Sequence, residues 1–176
     1  MKKFLFILFS FTLFTSFIVV VPDQSEEAAA KIKAIYIYNF TKYIEWPDAY
    51  KEGHFVIGFL GTNSALLNKL SEMALTKKVG SQTIEIRNIA AVAEADKFNI
   101  IYILADNSGQ LTDVLTKVKK KSTLIVTDKP GLATKGAGIN FVVVENKQKI
   151  ELNKSNIEKY KLKIATTLVD MALPVN

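Results

Sequence analysis

Short runs of consecutive apolar residues recur through the middle of the chain, each bounded by turn-forming residues. Three of them, at residues 54–60, 99–104 and 122–126, contain almost no polar position. Runs of this length and bounding are typical of strands that are buried on both faces. Residues 83–87 alternate apolar and polar positions instead, as a strand with one exposed face does. The pattern therefore predicts four strands, three of them central.

Segments with helical spacing separate these strands. Residues 62–64 supply N-cap side chains for a helix through about Met73, and residues 106–109 turn the chain into a second helix. The apolar residues of that second helix are Leu111, Val114, Leu115 and Val118. Alternation of strands and helices is typical of a parallel sheet covered by helices. We expect an α/β fold: a single domain whose mostly parallel central sheet is flanked by helices in Rossmann- or flavodoxin-like layers.

The two ends of this domain follow other patterns. Residues 31–43 have apolar positions at helical spacing, and Pro47 stops that helix. Residues 139–145 and 149–152, joined by 146–148, predict an antiparallel hairpin at the C-terminal edge of the sheet. A closing helical region follows a cap at Asn153 or Ser155 and stops at Pro174. The second part of this region places one face of apolar side chains inward: Leu162, Ala165, Leu168, Val169 and Ala172.

The N-terminus has the pattern of an export signal. Lys2 and Lys3 precede an apolar run from Phe4 to Val21, and no Ala-x-Ala cleavage site follows. Residues 1–22 are therefore either a cleaved signal peptide or an uncleaved anchor, because the run approaches the roughly 20 residues that span a bilayer. Residues 23–30 form a polar lead-in, and residues 31–174 form the domain. Both interpretations place the domain outside the cytoplasmic membrane, with a tether to that membrane in the second.

Composition excludes several classes of function. The chain has 22 lysines, one arginine (Arg87) and a formal net charge of +6. Nucleic-acid recognition relies on the bidentate guanidinium of arginine, so we expect no nucleic-acid partner. The densest cluster, Lys117 with residues 119–121, is expected to close a helix at its negative end, and a polyanion site is the alternative. The absence of cysteine excludes disulfides, thiolate metal sites and a cysteine nucleophile.

No set of residues has the spacing of a catalytic or metal centre. His54 is the single histidine and begins a strand, and no Gly-x-Ser-x-Gly elbow accompanies it. One imidazole cannot supply a histidine-based metal site, and the carboxylates lack the spacing of a calcium loop. Neither a P-loop nor a dinucleotide-binding glycine pattern occurs. We therefore expect no enzyme activity, no cofactor and no metal.

The ends of the buried strands form one candidate site. Gly61, Thr62 and Asn63 follow the first strand, and Asp106 and Ser108 follow a later one. In open parallel sheets, such loops form the crevice where ligands bind, and a helix N-terminus there can hold an anion. The alternative is that these residues only cap helices.

Glu45-Trp46-Pro47 forms the other candidate. The single tryptophan of the chain stands at a predicted helix end between Tyr43 and Tyr50. Aromatic anchors of this kind are frequent in interfaces. A tryptophan that only plugs the base of the sheet explains the same pattern.

Residues 33–47, KAIYIYNFTKYIEWP, resemble the opening motif of the YfiR-like family. The motif runs Lys-Ala, an aromatic or aliphatic pair, Tyr-Asn-Phe, two residues, an aromatic, and then Glu-Trp-Pro. Three later segments also resemble the family: Phe55–Gly61, residues 135–141, and residues 162–168 of its final helix. The matching residues of the motif are Lys33, Ala34, Tyr38, Asn39, Phe40, Tyr43, Glu45, Trp46 and Pro47.

The resemblance implies an exported α/β domain of the periplasm that has no chemistry of its own. The best-understood members bind the periplasmic part of a membrane-embedded diguanylate cyclase, hold it inactive, and so lower cyclic-di-GMP signalling and biofilm formation. The domain also resembles the sensor part of some receptor kinases. Well-known members carry cysteines, including one before the third strand, whereas residues 95–99 here have none. Redox control by disulfides therefore does not carry over to this chain.

Three hypotheses follow, with the oligomeric state left open. The first is a regulator that acts on a membrane signalling protein by protein–protein contact, for which the motif residues Tyr38, Asn39, Phe40, Glu45, Trp46 and Pro47 are the binding candidates. The second is a periplasmic sensor that binds a small solute in the strand-end crevice. The third is a hydrolase that uses His54.

Overall fold

The computed structural model describes residues 24–175, without the side chains of Gln24 and Ser64; the predicted leader, residues 1–22, lies outside this part. The α-helices are α1 (Gln24–Tyr43), α2 (Ser64–Ala74), α3 (Leu111–Lys117), α4 (Lys154–Glu158) and α5 (Thr166–Asp170). The strands are β1 (Ile44–Glu45), β2 (Phe55–Leu60), β3 (Lys78–Val79), β4 (Gln82–Asn88), β5 (Ile100–Ile103), β6 (Leu124–Thr127), β7 (Ile139–Val144), β8 (Lys147–Leu152), β9 (Lys163–Ile164) and β10 (Leu173–Pro174). Turns of 3₁₀-helix span Asp48–Tyr50, Val92–Lys97 and Ala105–Gln110.

Eight strands form one sheet in the order β10-β8-β7-β6-β5-β2-β4-β3. Strands β4, β2, β5, β6 and β7 are parallel neighbours, which confirms the mostly parallel α/β domain. Every residue of β2, β5 and β6 is buried, because helices cover both faces, and this explains their unbroken apolar runs. The antiparallel β7–β8 hairpin lies at the C-terminal side of the sheet as predicted, and the two-residue strand β10 adds to β8 outside it.

Helix α1 begins earlier than its apolar pattern indicates. The stretch interpreted as a lead-in is helical from Gln24, because residues 28–30 are alanines and Glu26 and Glu27 lie in the first turn, where the helix dipole favours negative charge. Its buried stripe begins at Ala30. The helix runs from the carboxyl end of the parallel strands to their amino end. Its Lys33 lies beside Asp128, just after β6, and Tyr43 lies beside the start of β2.

The C-terminal helical region is interrupted, contrary to the sequence prediction. Lys161 has a φ of 61°, a left-handed conformation that ends the helical path after α4. Residues 162–165 are then extended, and Ile164 of β9 pairs with Ile44 of β1 in a separate two-stranded sheet. Pro174, expected to stop a helix, lies in β10.

The β7–β8 turn is shorter than the expected loop of residues 146–148. Glu145 and Asn146 alone connect the strands, with φ values of 50° and 58°. Two left-handed residues in a two-residue loop match the twist of a hairpin, as in a type I′ turn. Within residues 24–175, no helix has the length and apolar character needed to cross a membrane.

Candidate functional site

An open groove at the amino end of the parallel strands contains part of the sequence motif. This motif groove has a volume of about 580 Å³. Its lining comes from residues 41–46, Lys51, Phe55, residues 79–82 and residues 163–165. Three stretches that are distant in sequence, within residues 41–55, 79–82 and 163–165, therefore meet there.

Trp46 and Phe55 belong to both the groove lining and the hydrophobic core. Trp46 is 4% exposed, and its ring meets Phe55 edge-on with a centroid distance of 4.9 Å. Since Phe55 begins β2, the tryptophan covers the base of the sheet, as the plainer interpretation of its position proposed. The indole nitrogen Nε1 is buried and has no hydrogen-bond partner among residues 24–175.

One wall of the motif groove is the small sheet of β1 and β9. Ile44 pairs with Ile164, and Glu45 pairs with Lys163. The amide of Ala165 also donates to the carbonyl of Tyr43 over 2.8 Å. The motif segment is thus fixed to the C-terminal part of the chain by backbone pairing.

The opposite wall is the turn between β3 and β4, where Gly80 has a φ of 58°. Gln82 at the start of β4 is 6% exposed, and its amide nitrogen donates to the carbonyls of Tyr50 and Glu52, each over 3.1 Å. These bonds connect the turn to the 3₁₀ segment after Trp46. The buried amide therefore ties this wall to the segment that carries Lys51.

Charged side chains form the rim. Glu45 lies 3.6 Å from the ammonium of Lys51 and 3.7 Å from that of Lys163. Lys51 also contacts Asp48 at 2.7 Å; this hydrogen bond raises the pKa of Lys51 and lowers that of Asp48. The four side chains are about half exposed or more, so water screens their pairs. Because such exposed ion pairs contribute little free energy, these side chains can form new pairs with a bound molecule at little cost in stability.

The predicted motif residues separate into four environments. Glu45 and Trp46 line the motif groove. Tyr38 and Asn39 lie beside it on α1, where Lys42 stacks 4.6 Å from the Tyr38 ring centroid and donates to Asn39. Phe40 is fully buried in the core, and Pro47 lines a neighbouring groove. Residues 163–165 were interpreted as helix, so their part in the site was missed although they belong to the family resemblance.

The strand-end crevice lies at the opposite end of the sheet. Gly61 has a φ of 110°, and a Cβ atom there would collide with the side-chain oxygen of Asn107. Asn63 accepts from the Leu66 amide over 2.8 Å and so caps α2, as the helix-cap interpretation expects. Lys129 donates to Ser108 over 3.1 Å, while Thr62 and Asp106 are exposed. Asn107 thus occupies the space between the two strand ends.

His54 is exposed at the amino end of β2. Its Nδ1 lies 2.7 Å from the hydroxyl oxygen of Thr83. The nearby Glu85 is instead paired with Arg87 at 2.7 Å, so no carboxylate orients the imidazole among residues 24–175. Within the same residues, no group of three or more His, Asp or Glu side chains is arranged to hold a metal ion.

Comparison with known proteins gives a family and a fold. A family model described as YfiR/HmsC-like matches residues 30–173. No curated protein matches the chain. A conserved domain protein from Vibrio cholerae O1 biovar El Tor has a similar structure, with a TM-score of 0.52 and 14% identity over 84% of this chain and 60% of the other.

A second solved structure, the ABC domain from Streptococcus pneumoniae in complex with L-Trp, is similar with a TM-score of 0.54. The identity is 13%, over 84% of this chain and 62% of that one. The chain therefore spans less than two thirds of either solved chain. At these identities the likeness establishes the α/β fold alone.

Proposed function

Because the chain belongs to the YfiR/HmsC-like family, we propose that it is an exported, non-catalytic regulator that binds a membrane-embedded signalling protein. The family is one of periplasmic regulators of cyclic-di-GMP signalling. The partner is a protein with a periplasmic part, either a diguanylate cyclase-type enzyme or a receptor kinase. Contact with this chain holds the partner in one signalling state.

The observation that carries this proposal is the position of the family motif. Its Glu45 and Trp46 form part of an open groove instead of lying wholly in the interior. The backbone around them is held by the pairing of β1 with β9. A preorganised groove lowers the entropy lost on binding, which suits a surface that recognises one partner.

The chemistry of the motif groove also suits a protein segment. Its base is aromatic and aliphatic, and its rim carries Glu45, Lys51 and Lys163 with polar side chains of the β3–β4 turn. A buried aromatic centre with a polar, exchangeable rim is the usual arrangement of a protein interface. Helix α1, whose last residues line the groove, also carries the exposed side chains of Ile32 and Ile35, which provide further apolar contact area.

The other two hypotheses have less support. A solute sensor requires space between the strand ends, and Asn107 packs there against Gly61. A hydrolase requires an oriented base, and His54 has only a hydroxyl partner among the described residues. We therefore place the contact surface at the motif groove and the domain within residues 31–174, with residues 1–22 as signal peptide or anchor.

The test compares charge reversal at the motif groove with a matched reversal elsewhere. Glu45→Lys removes the ion pairs of Glu45 with Lys51 and Lys163. It also replaces a negative charge by a positive one, so a basic group of the partner that contacts Glu45 would be repelled. Glu72→Lys is the control, because Glu72 is a similarly exposed glutamate of α2 paired with Lys69 at 3.6 Å. Cells that produce each variant in place of the natural chain would be assayed for cyclic-di-GMP and for partner recovered from solubilised membranes.

We expect Glu45→Lys to lower partner recovery at least tenfold and to shift cyclic-di-GMP as deletion of the chain does. Glu72→Lys should match the wild type. Equal effects of both reversals would place the contact elsewhere. A location of the folded chain in the cytoplasm, or substrate turnover by the purified protein, would reject the regulator itself.

A further inference from the structure

A second groove at the amino end of the sheet, the lysine groove, is dominated by positive charge. Its volume is about 500 Å³, and ten residues line it. None of the ten is acidic. Five are lysines, contributed by two turns about 40 residues apart: Lys119, Lys120, Lys121, Lys159 and Lys161. Their place in one groove lining brings the positive charges of two separate turns together. The Lys159 ammonium is held there by Asn156, to which it donates over 3.0 Å.

Carboxylates do not neutralise this charge. None of the five lysines forms an ion pair within residues 24–175. The nearest acidic residues in sequence are engaged elsewhere, Asp48 with Lys51 and Glu158 with Lys154. Because like charges repel, this arrangement favours an anion between the two turns.

The backbone that carries the lysines is fixed. The amide of Ser122 donates to the hydroxyl oxygen of Tyr50 over 3.0 Å and ties the first turn to the 3₁₀ segment. The amide of Lys161 donates to the carbonyl of Glu158 over 2.8 Å, in the turn where Lys161 has a φ of 61°. A non-glycine residue in this conformation is uncommon and directs its side chain differently from a continuing helix. The two turns are therefore held in place before any ligand arrives.

We propose that the lysine groove binds a small anion that carries two or more phosphate groups. An ammonium group has three donors and no acceptor, and phosphate oxygens are acceptors, so the lining matches phosphate chemistry. The cavity lies within the roughly 300–1,000 Å³ that small-molecule sites occupy, which leaves room for more than one phosphate. This site is separate from the proposed partner contact and stands if that contact is elsewhere.

A membrane surface fits the lysine groove less well than a soluble anion. Helix α1 begins at the carboxyl end of the sheet, and its 20 residues span about 30 Å. A membrane that holds the residues before Gln24 would therefore lie on the far side of the domain. The lysines also line a concave groove, whereas headgroups present a flat surface.

The test uses pyrophosphate as the probe, with calorimetry on protein from cells that express the full chain. The groove variant carries Lys119→Gln, Lys121→Gln and Lys161→Gln. The control variant carries Lys31→Gln, Lys135→Gln and Lys147→Gln, which removes the same charge at exposed positions outside the groove. We expect the wild type and the control variant to bind pyrophosphate with equal affinity, and the groove variant to bind it at least tenfold more weakly. The wild type should bind orthophosphate at least tenfold more weakly than pyrophosphate.

Acetylation of lysines in the wild-type protein tests the site without any substitution. Pyrophosphate should slow acetylation at residues 119, 121 and 161 and leave residues 31, 135 and 147 unchanged. The proposal fails if pyrophosphate does not bind, if both triple variants lose affinity equally, or if protection is uniform over the surface. Binding to phosphatidylglycerol vesicles without binding of pyrophosphate would likewise reject a small-anion site in favour of a membrane.

Discussion

Lys33 of α1 donates to the carboxylate of Asp128 across 3.0 Å and joins the helix to the end of β6. The two side chains are 20% and 12% exposed, and the same carboxylate oxygen accepts from the Tyr102 hydroxyl over 2.9 Å. The Lys33 ammonium also lies 5.8 Å from the ring centroid of Phe141. The first residue of the family motif thus anchors α1 to the sheet, at the end opposite the motif groove.

The Lys33–Asp128 pair should contribute measurably to stability. Lys33→Met keeps the aliphatic stem but leaves a largely buried carboxylate without its cation, so we expect unfolding free energy to fall by about 2 kcal/mol in urea denaturation. Lys51→Met, which breaks the exposed pair with Asp48, is the control and should have no measurable effect. A double-mutant cycle with Asp128→Asn should give a coupling above about 0.5 kcal/mol, and additive losses would contradict the pair.

The hydroxyl of Tyr102 should make stability depend on alkaline pH. Burial, followed by the charge of Asp128, raises the pKa of Tyr102 far above its ordinary value. The unfolded chain releases this proton near the ordinary tyrosine pKa of about 10, whereas the folded chain keeps it. Stability from the protonated hydroxyl is therefore complete below about pH 10 and is lost as the pH rises further toward the raised pKa.

Denaturation of the wild type and of Tyr102→Phe between pH 7 and 11 measures this effect. At pH 7 the variant should be less stable, because it lacks the hydrogen bond to Asp128. Above about pH 10 the difference should shrink, since phenylalanine has no proton to lose. A constant difference over the whole range would mean that Tyr102 does not titrate differently in the two states.

The central strands were predictable because their environment is uniform. Burial on both faces favours apolar residues throughout β2, β5 and β6, and such runs are visible without any knowledge of their neighbours. The exception is Thr127 at the end of β6, whose buried hydroxyl is hydrogen-bonded to Asn140. The two-residue strands β1, β3, β9 and β10 were not predicted, because two residues have no period. Their pairing depends on distant segments, as Ile44 with Ile164 illustrates.

The candidate site was predictable only where it depends on a local motif. Glu45 and Trp46 stand out as a motif in the sequence, but the segments around residues 80 and 164 reach them only through the fold. The lysine cluster is similar. Residues 119–121 are conspicuous in the sequence. Lys159 and Lys161 join them because the turn after α4 contains the left-handed residue Lys161, which no local sequence pattern predicts.

Position 61 requires a glycine because its φ is positive and because Asn107 fills the space that a Cβ atom would need. Gly61→Ala should lower the unfolding free energy by about 1–3 kcal/mol, because φ is 110° and the new methyl group collides with the Asn107 amide. The control is Gly109→Ala, at a glycine of the same rim without a positive φ and with open space around its Cβ position. Combining Gly61→Ala with Asn107→Ala should recover part of the loss, and no recovery would assign all of it to the backbone.

The β7–β8 turn offers a stabilising substitution. Glu145 has a φ of 50°, which asparagine tolerates better than glutamate does. Glu145→Asn should therefore raise unfolding free energy by about 0.5 kcal/mol, measured as a higher midpoint in thermal denaturation. Lys147→Asn, two positions later and without a positive φ, should give no gain. Equal gains at both positions would point to removal of surface charge or bulk and not to the turn.

Trp46 combines a large buried ring with a nitrogen that lacks a partner among the described residues. Trp46→Ala should lower unfolding free energy by about 3–5 kcal/mol, because it removes the contact with Phe55 and leaves a cavity. Trp46→Phe should lose much less, since the edge-on aromatic contact remains and a buried donor without an acceptor is removed. Far-ultraviolet circular dichroism in urea is the measurement, because each variant lacks the single tryptophan of the chain. Equal losses in Trp46→Phe and Trp46→Ala would contradict this expectation, because they would mean that the aromatic contact with Phe55 does not compensate for the loss of the indole.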